Sequence, residues 1–430
     1  MTGPDGDDAA DASAADADAD AAADTDADAD ADTDADAADS ITPAALARRL
    51  RRGDAVSVLD VRDRDEFEAW HVDGRTVTAA QVPHVRFLAA RATGDPADLV
   101  PDDLTEPVVV VCGRGEASAE VAAMLVDAGV DAVNLAGGMD RWAETYLSAE
   151  LDAPGDATVL QYQRPSSGCL GYLVVAGDEA AVVDPLRAFA DRYVADAADR
   201  GATLRYAVDT HVHADHVSGV RAVRDASGAE AVLPAGADDR GLSFDAALVR
   251  DGDVLRVGDA ALTAVHAPGH TSELTAFRLA EFHDDAEPGG GDGVLFTADA
   301  LFLRSVGRPD LEAGDDAARE YAETAYDTLH DRLLAFPDET TVAPGHFADP
   351  ADARAVGDER VYAAPLGELR AADIFGLDRE AFVDRVVDTL PPRPANYERI
   401  VATNLGVEEL SDEAAFEAEL GPNNCAVSTD

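Results

Sequence analysis

Apolar and polar positions divide the chain into stretches with different periods. Between residues 40 and 150, short apolar runs alternate with helical spacing. Ser40-Ile41-Thr42-Pro43 opens a helix, with Ser or Thr as the cap and Pro in the first turn. Val56 to Asp60 reads as a short strand. Val108 to Val111 is a wholly apolar strand ending at Cys112, Glu116 to Ala128 a helix, and Val130 to Leu135 a further strand. Strands alternating with helices predict an α/β domain on a parallel sheet. Asp152-Ala153-Pro154-Gly155 reads as a linker. Beyond it come many short strands, expected at 158–163, 170–175, 180–184, 205–209, 254–257, 261–266, 274–279 and 293–298, with helices near 187–200, 216–226 and 315–335. Residues 351–430 read as a helical C-terminal extension with an irregular tail that carries Cys425. Residues 1–39 are an Asp-Ala repeat with no aromatic side chain. Such a segment has nothing to bury and is expected to be disordered. The expected organisation is therefore a tail over 1–39, an α/β domain over 40–150, a second domain over 155–350 and an extension over 351–430.

The candidate chemistry lies where apolar runs end. Directly after Leu204–Val208 comes Asp209-Thr210-His211-Val212-His213-Ala214-Asp215-His216, with four metal-capable side chains within six residues. His270 in Ala-Pro-Gly-His-Thr, Asp299 in Phe-Thr-Ala-Asp and His346 in Ala-Pro-Gly-His each follow an apolar run of their own. Loops leaving strand ends can aim such side chains at one point, and imidazole with carboxylate suits zinc or iron. His266 and His283 are not counted as ligands. His330 is expected on a helix surface, and Cys169 as a small buried residue.

In order and spacing, His211-x-His213-x-Asp215-His216, His270, Asp299 and His346 resemble the metallo-β-lactamase superfamily. The resemblance covers about 158–350 and implies an αββα sandwich with a metal site at one sheet edge. Within that superfamily, the glyoxalase II-like hydrolases use all seven residues for two metals, two Zn(II) here, with Asp299 bridging. The persulfide dioxygenases bind one Fe(II) through the positions of His211, His270 and Asp299, with O2 as co-substrate. In that case His213, Asp215, His216 and His346 support the site instead of holding a second metal. Flanking segments resemble the dioxygenases: Gly168-Cys169-Leu170-Gly171-Tyr172, Val182-Val183-Asp184-Pro185-x-Arg187, Val306-Gly307-Arg308-Pro309-Asp310-Leu311, and Pro391-Pro392-Arg393-Pro394-Ala395-Asn396-Tyr397. Ala298 stands where that family usually has Gly, and Gly345-His346-Phe347 replaces its Ala-His-Gly. The implied reaction oxidises a low-molecular-weight thiol persulfide to sulfite. Arg308 and Tyr397 are candidate substrate contacts, although Arg308 and Asp310 could equally pair with each other.

In the first domain, Val111-Cys112-Gly113-Arg114-Gly115-Glu116-Ala117-Ser118 puts a Cys at a strand end before a Gly-containing loop and a helix. Backbone N–H groups of such a loop form an anion-binding nest that stabilises a thiolate or persulfide. Leu59-Asp60-Val61-Arg62-x-x-x-Glu66-Phe67, Trp70-His71-Val72-Asp73-Gly74 and Leu135-Ala136-Gly137-Gly138-Met139-x-x-Trp142 surround it. Together these resemble a rhodanese domain over about 42–148. The resemblance implies sulfur transfer, with Cys112 carrying sulfane sulfur from a donor, residues 113–118 cradling it, and Asp60 and Arg62 bracing the loop. Ala117 stands where many thiosulfate-using rhodaneses have Arg.

Charge then narrows the setting. The formal net charge is −54, and every one of the 33 basic residues is Arg. Residues 1–40 hold 15 Asp and no base, so −54 + 15 leaves −39 on the other 390 residues. Charge this dense suits molar salt, where screening shortens to ~3 Å, and points to a halophile's cytoplasm. Nucleic acid and anionic membranes, which need basic patches, are not expected partners. No run reaches the roughly 18 apolar residues of a spanning helix, and no secretion signal is read. The three Cys, at 112, 169 and 425, form no disulfide framework. A homodimer is an open expectation.

Overall fold

The computed structural model describes residues 39–282, 293–394, 396–421 and 426–427. Residues 1–38 of the Asp-Ala repeat expected to be disordered, and also His283, Ala395 and Cys425, lie outside the described residues. Among those described, no helix is long and apolar enough to cross a membrane.

Residues 39–145 form a five-stranded parallel sheet in the order 40–41, 132–135, 108–111, 56–60, 77–81. Its central strand, Val108–Val111, is buried at every position, as a strand covered on both faces should be. Met124, Leu125 and Phe87 fill one face; Leu46, Leu50, Met139 and Trp142 fill the other.

The remainder is a sandwich. One sheet has seven strands, in the order 247–249, 230–234, 203–208, 179–183, 170–176, 158–163, 147–151. The other has six, in the order 254–257, 260–266, 275–281, 294–298, 341–344, 364–365. Val159, Tyr172, Val174, Val183 and Val232 of the first meet Leu262, Phe277, Leu279 and Phe296 of the second in one apolar core. Helices Ala190–Asp199 and Val220–Ser227 cover the outer face of the seven-stranded sheet. Ala318–Thr328 and Arg379–Asp388 cover the outer face of the six-stranded one. This is the αββα arrangement.

Several elements depart from the sequence pattern. Leu147–Leu151 pairs antiparallel with Thr158–Gln163, so the segment before the linker is already an edge strand of the sandwich. Leu147, Ala149 and Leu151 point inward at a period of two. The helix expected near 216–226 starts only at Val220, because residues 213–218 are held as a loop. Strands 77–81, 230–234, 247–249 and 341–344 were absent from the expectation. His330 lies in a π-helical turn, half-buried, with its ring 4.2 Å from that of Tyr326.

Candidate metal centre and sulfur-binding loop

Each candidate ligand leaves a strand end. Thr203–Val208 delivers residues 209–216, Ala260–His266 delivers His270, Val294–Ala298 delivers Asp299, and Thr341–Pro344 delivers His346. The turn at Ala298 takes φ of 49°, a left-handed value that favours Gly. A Cβ on Gly345 would stand 2.6 Å from Asp299 Oδ1, so only glycine allows this approach.

The candidate residues fall into three buried groups, and within each the potential ligand atoms lie within 4.8 Å of one another. The first is His211, His270 and Asp299. His270 Nδ1 lies 2.7 Å from the Arg308 carbonyl oxygen, which can only accept. Nδ1 therefore carries the proton and Nε2 is left as a lone pair, 3.6 Å from Asp299 Oδ2. The Thr210 hydroxyl donates to Asp184 Oδ2 at 3.0 Å, and His211 Nδ1 lies 2.9 Å from the same hydroxyl oxygen. Nδ1–H of His211 donates there, which leaves its Nε2 without a partner. Asp299 Oδ1 accepts from His346 Nδ1 at 2.6 Å, and Oδ2 has no partner.

The second group is Cys169, Asp215, His216 and His346. Asp215 Oδ2 is its hub, 3.1 Å from His216 Nδ1, 2.9 Å from His346 Nε2 and 3.2 Å from Cys169 Sγ. Both ring nitrogens of His346 thus face carboxylates. The third group is Asp184, Asp209 and His213, in which His213 Nε2 donates to Asp184 Oδ1 at 3.0 Å.

Burial and neighbouring charge set the protonation states. Burial, with His213 and His270 alongside, holds His211 well below the ordinary imidazole range, so its ring is neutral. For His216 and His346 burial acts the other way from the result: Asp215, and for His346 Asp299 as well, outweigh it and raise both well above that range. Asp215 and Asp299 stay below the carboxylate range despite burial, because those imidazoles face them. Burial, supported by Asp184 and opposed by His213, pushes Asp209 up to about 6.

An unpartnered buried polar atom costs ~1–3 kcal/mol. Here His211 Nε2, His213 Nδ1, Asp215 Oδ1, His216 Nε2 and Asp299 Oδ2 all lack partners in one buried region. A bound cation would satisfy such donor atoms, and the residues present fit one.

Supporting contacts come from the flanking segments and from Glu273 and Arg240, which the sequence pattern did not single out. Asp184 (φ 50°) also accepts the Thr210 N–H at 2.8 Å. Glu273 accepts the Val212 N–H at 2.9 Å and pairs with Arg240 at 2.6 Å. Cys169 is buried as expected, in the apolar core under the seven-stranded sheet's outer face, and its thiol also meets the centre at Asp215. Its neighbour across an isolated bridge is His346. The Arg308 guanidinium is buried and forked onto Asp310 at 2.7 and 2.9 Å, with Pro392 O at 2.8 Å. It touches the centre through its own carbonyl, on His270. Tyr397 is half-buried, 3.2 Å from Glu398 and stacked under Arg393.

In the parallel-sheet half, Cys112 Sγ accepts the Gly115 N–H at 3.1 Å, and Ser118 Oγ lies 3.1 Å from the same sulfur. Ser118 Oγ is also 2.7 Å from Asn134 Oδ1. Gly115 takes φ of 89° to turn the loop into the helix Glu116–Asp127. Gly113, Arg114, Glu116 and Ala117 complete the turn, with the Arg114 and Glu116 side chains exposed. Asp60 and Arg62 are buried as a forked pair at 2.6 Å, and Arg62 also binds Trp70 O.

The two halves meet through several polar contacts. Arg51 reaches Gln163 at 2.6 Å, Arg75 N–H reaches Asp349 at 2.6 Å, and Arg164 reaches Ala143 O at 3.1 Å. Residues 51 and 75 precede strands 56–60 and 77–81, whereas Cys112 follows the parallel strand 108–111. A cavity of about 400 Å³ lies at this junction, lined by Trp70, His71, Trp142, Ser167, Gly168 and Phe347 among others.

Comparison with known proteins agrees with both halves. Residues 42–145 match the rhodanese-like domain, and residues 166–281 match the metallo-beta-lactamase superfamily. The chain is 32% identical over 247 residues to the hydroxyacylglutathione hydrolase of Cereibacter sphaeroides, covering 57% of this chain and 84% of that protein. The chain belongs to the metallo-beta-lactamase superfamily and carries a rhodanese-like domain ahead of that fold. It is also 29% identical over 281 residues to the mitochondrial persulfide dioxygenase of Bos taurus, covering 63% of this chain and 96% of that protein. Among solved structures, a metallo-beta-lactamase from Staphylococcus aureus is similar at a TM-score of 0.51 and 25% identity, over 60% of this chain and 75% of that one.

Proposed function

We propose that this protein is a non-haem Fe(II) persulfide dioxygenase coupled to a rhodanese sulfurtransferase domain. The substrate class is a low-molecular-weight thiol persulfide, oxidised as RSSH + O2 + H2O → RSH + SO3²⁻ + 2H⁺. The observation that carries the reading is the state of Asp299. His346 occupies its Oδ1, which leaves Oδ2 beside His211 and His270. Two imidazoles and one carboxylate oxygen form the set that suits Fe(II) with positions left open. When bound there, the iron would supply a site at which O2 and a persulfide sulfur are held together. The protein's own part is to fix tautomers through Arg308 O and Thr210, hold Asp299 through His346, and keep the ligands buried.

At Cys112, the Gly115 N–H would stabilise a persulfide formed as Cys–S⁻ + RSS⁻ → Cys–SS⁻ + RS⁻. Transfer to sulfite would give thiosulfate and regenerate the thiolate. The fusion favours the dioxygenase, since thioester hydrolysis has no use for sulfane sulfur. The acidic composition suits a salt-rich cytoplasm.

A second reading has its own support. The unpartnered His213 Nδ1, Asp215 Oδ1 and His216 Nε2 could hold a second ion, as two Zn(II), in a thioester hydrolase. Metal analysis together with O2 uptake in high salt separates the two. One iron per chain with persulfide-dependent O2 uptake is expected. Two zinc per chain, no such uptake, and hydrolysis of an acyl-thiol would overturn the dioxygenase.

A further inference from the structure

We infer that Asn404, seconded by Glu419, is a positioning residue of the metal centre, so that the C-terminal helices are a working part of it. The inference rests on the reading that the 211–216 loop holds metal. Asn404 lies on the helix Tyr397–Asn404, 191 positions from His213. Its buried side-chain amide makes three hydrogen bonds, all to one loop. Nδ2 donates to His213 O at 3.0 Å and to His216 O at 2.9 Å, while Oδ1 accepts the Ser218 N–H at 2.8 Å. Two carbonyl acceptors and one N–H donor fix the amide orientation without ambiguity.

The need for such a clamp is visible in the backbone. Residues 209–219 form neither helix nor strand, and Val212, Val217 and Ser218 spend their N–H groups on side chains. A buried loop without ladder partners must find them elsewhere. Glu419 supplies the next one: Oε1 accepts the Val217 N–H at 2.8 Å, and Oε2 takes Arg164 at 2.5 Å. Ile400, Leu410, Ala415 and Ala418 pack against Val217 and seal the clamp from water. Holding the carbonyls of residues 213 and 216 fixes where the three imidazole-bearing Cα atoms, 211, 213 and 216, stand relative to His270 and Asp299. A shift of 1 Å in that loop would spoil coordination, whose distances tolerate about ±0.2 Å.

The test is Co(II) titration of the full chain in high salt, read by visible absorption, beside thermal melting of the metal-free chains. Asn404→Ala removes the whole clamp. Asn404→Asp keeps the acceptor for Ser218 and removes both donors, facing two carbonyls with a carboxylate. Both are expected to weaken Co(II) binding by about 10–100-fold, the range for outer-shell partners, and to alter the absorption band. Glu419→Ala is expected to act in the same direction more weakly, and it decides the matter should neither Asn404 variant fold. Variants that melt earlier yet bind Co(II) within threefold of the parent, with the same spectrum, would reduce Asn404 to a structural role and overturn the inference. Failure of the parent chain itself to bind Co(II) would instead sink the metal-site reading.

Discussion

Asp184→Asn is a substitution of one atom whose consequence can be followed through three residues. Asp184 accepts Thr210 N–H and His213 Nε2–H on Oδ1, and the Thr210 hydroxyl on Oδ2. Because the hydroxyl proton points at the carboxylate, the oxygen is free to accept Nδ1–H from His211, and Nε2 keeps its lone pair toward His270 and Asp299. In the Asn variant Oδ1 can still serve the first two donors, but an NH2 replaces Oδ2 and must itself donate to Thr210. The single hydroxyl proton then turns toward His211 Nδ1. The imidazole proton moves to Nε2, and that nitrogen can no longer ligate. The opposite amide orientation is worse, with the NH2 facing two donors. The tautomer change and the lost charge together should weaken metal binding about 10–100-fold, or roughly 1.4–2.8 kcal/mol. Isosteric replacement should leave the metal-free melting temperature less affected. The assay is a metal titration of the variant beside Thr210→Val, which cuts the relay, and Thr210→Ser, which keeps it. Metal affinity within threefold of the parent for both Asp184→Asn and Thr210→Val would refute the relay. So would a histidine nitrogen NMR signal showing His211 still protonated on Nδ1 in Asp184→Asn.

On the proposed function, Cys112→Ser and His211→Ala chains, each defective in one half-reaction, should restore coupled sulfur flux when mixed with free thiol. No recovery on mixing would show that sulfur passes within one chain. Ala298→Gly should leave metal content unchanged and stabilise the fold by up to ~1 kcal/mol in urea melts, since φ of 49° strains Ala; a loss of stability would show that unfolded-chain entropy dominates. Asp310 works against its burial, held below the carboxylate range by Arg308 and Arg393. Its folded pKa lies below its unfolded one, so its contribution is complete above pH ~4 and disappears as the pH falls through the folded value. The stability gap between the parent and Asp310→Asn should therefore be full at pH 7 and shrink below pH ~4; a gap that does not change with pH would remove the charge from the account.

Much of the centre was legible because its residues are dense in sequence and each follows an apolar run, which is how a sheet edge presents ligands. The strands that carry them matched to within a residue or two, since apolar runs bounded by Gly, Pro and Asp are local signals. What was not legible depended on side-chain direction and long-range contact. Adjacent Asp215 and His216 join Cys169 and His346, whereas His213, two residues earlier, turns to Asp184. Nothing in the spacing separates these. Cys169 has the composition of a core residue and becomes part of the centre only through long-range contacts, its thiol on Asp215 and its bridge to His346. Asn404 reaches the loop from the far end of the chain. The edge strand 147–151 did carry a period-two pattern, but it stands before a Pro-Gly turn that looks like the end of a domain.

That edge strand bears on how the two halves are joined. By joining the sandwich sheet directly, it ties the parallel-sheet half to the metal-bearing half through residues at the N-terminal edge of its strands, reinforced by Arg51 and Arg75. The Cys112 loop is tied to the same junction: the N–H groups of Met139 and Asp140, in the helix that also carries Trp142 and Ala143, bond the carbonyls of Cys112 and Gly113. The aromatic cavity at the junction is lined by Gly168 and Phe347, which adjoin Cys169 and His346, and by Trp142, from the helix that holds the Cys112 loop.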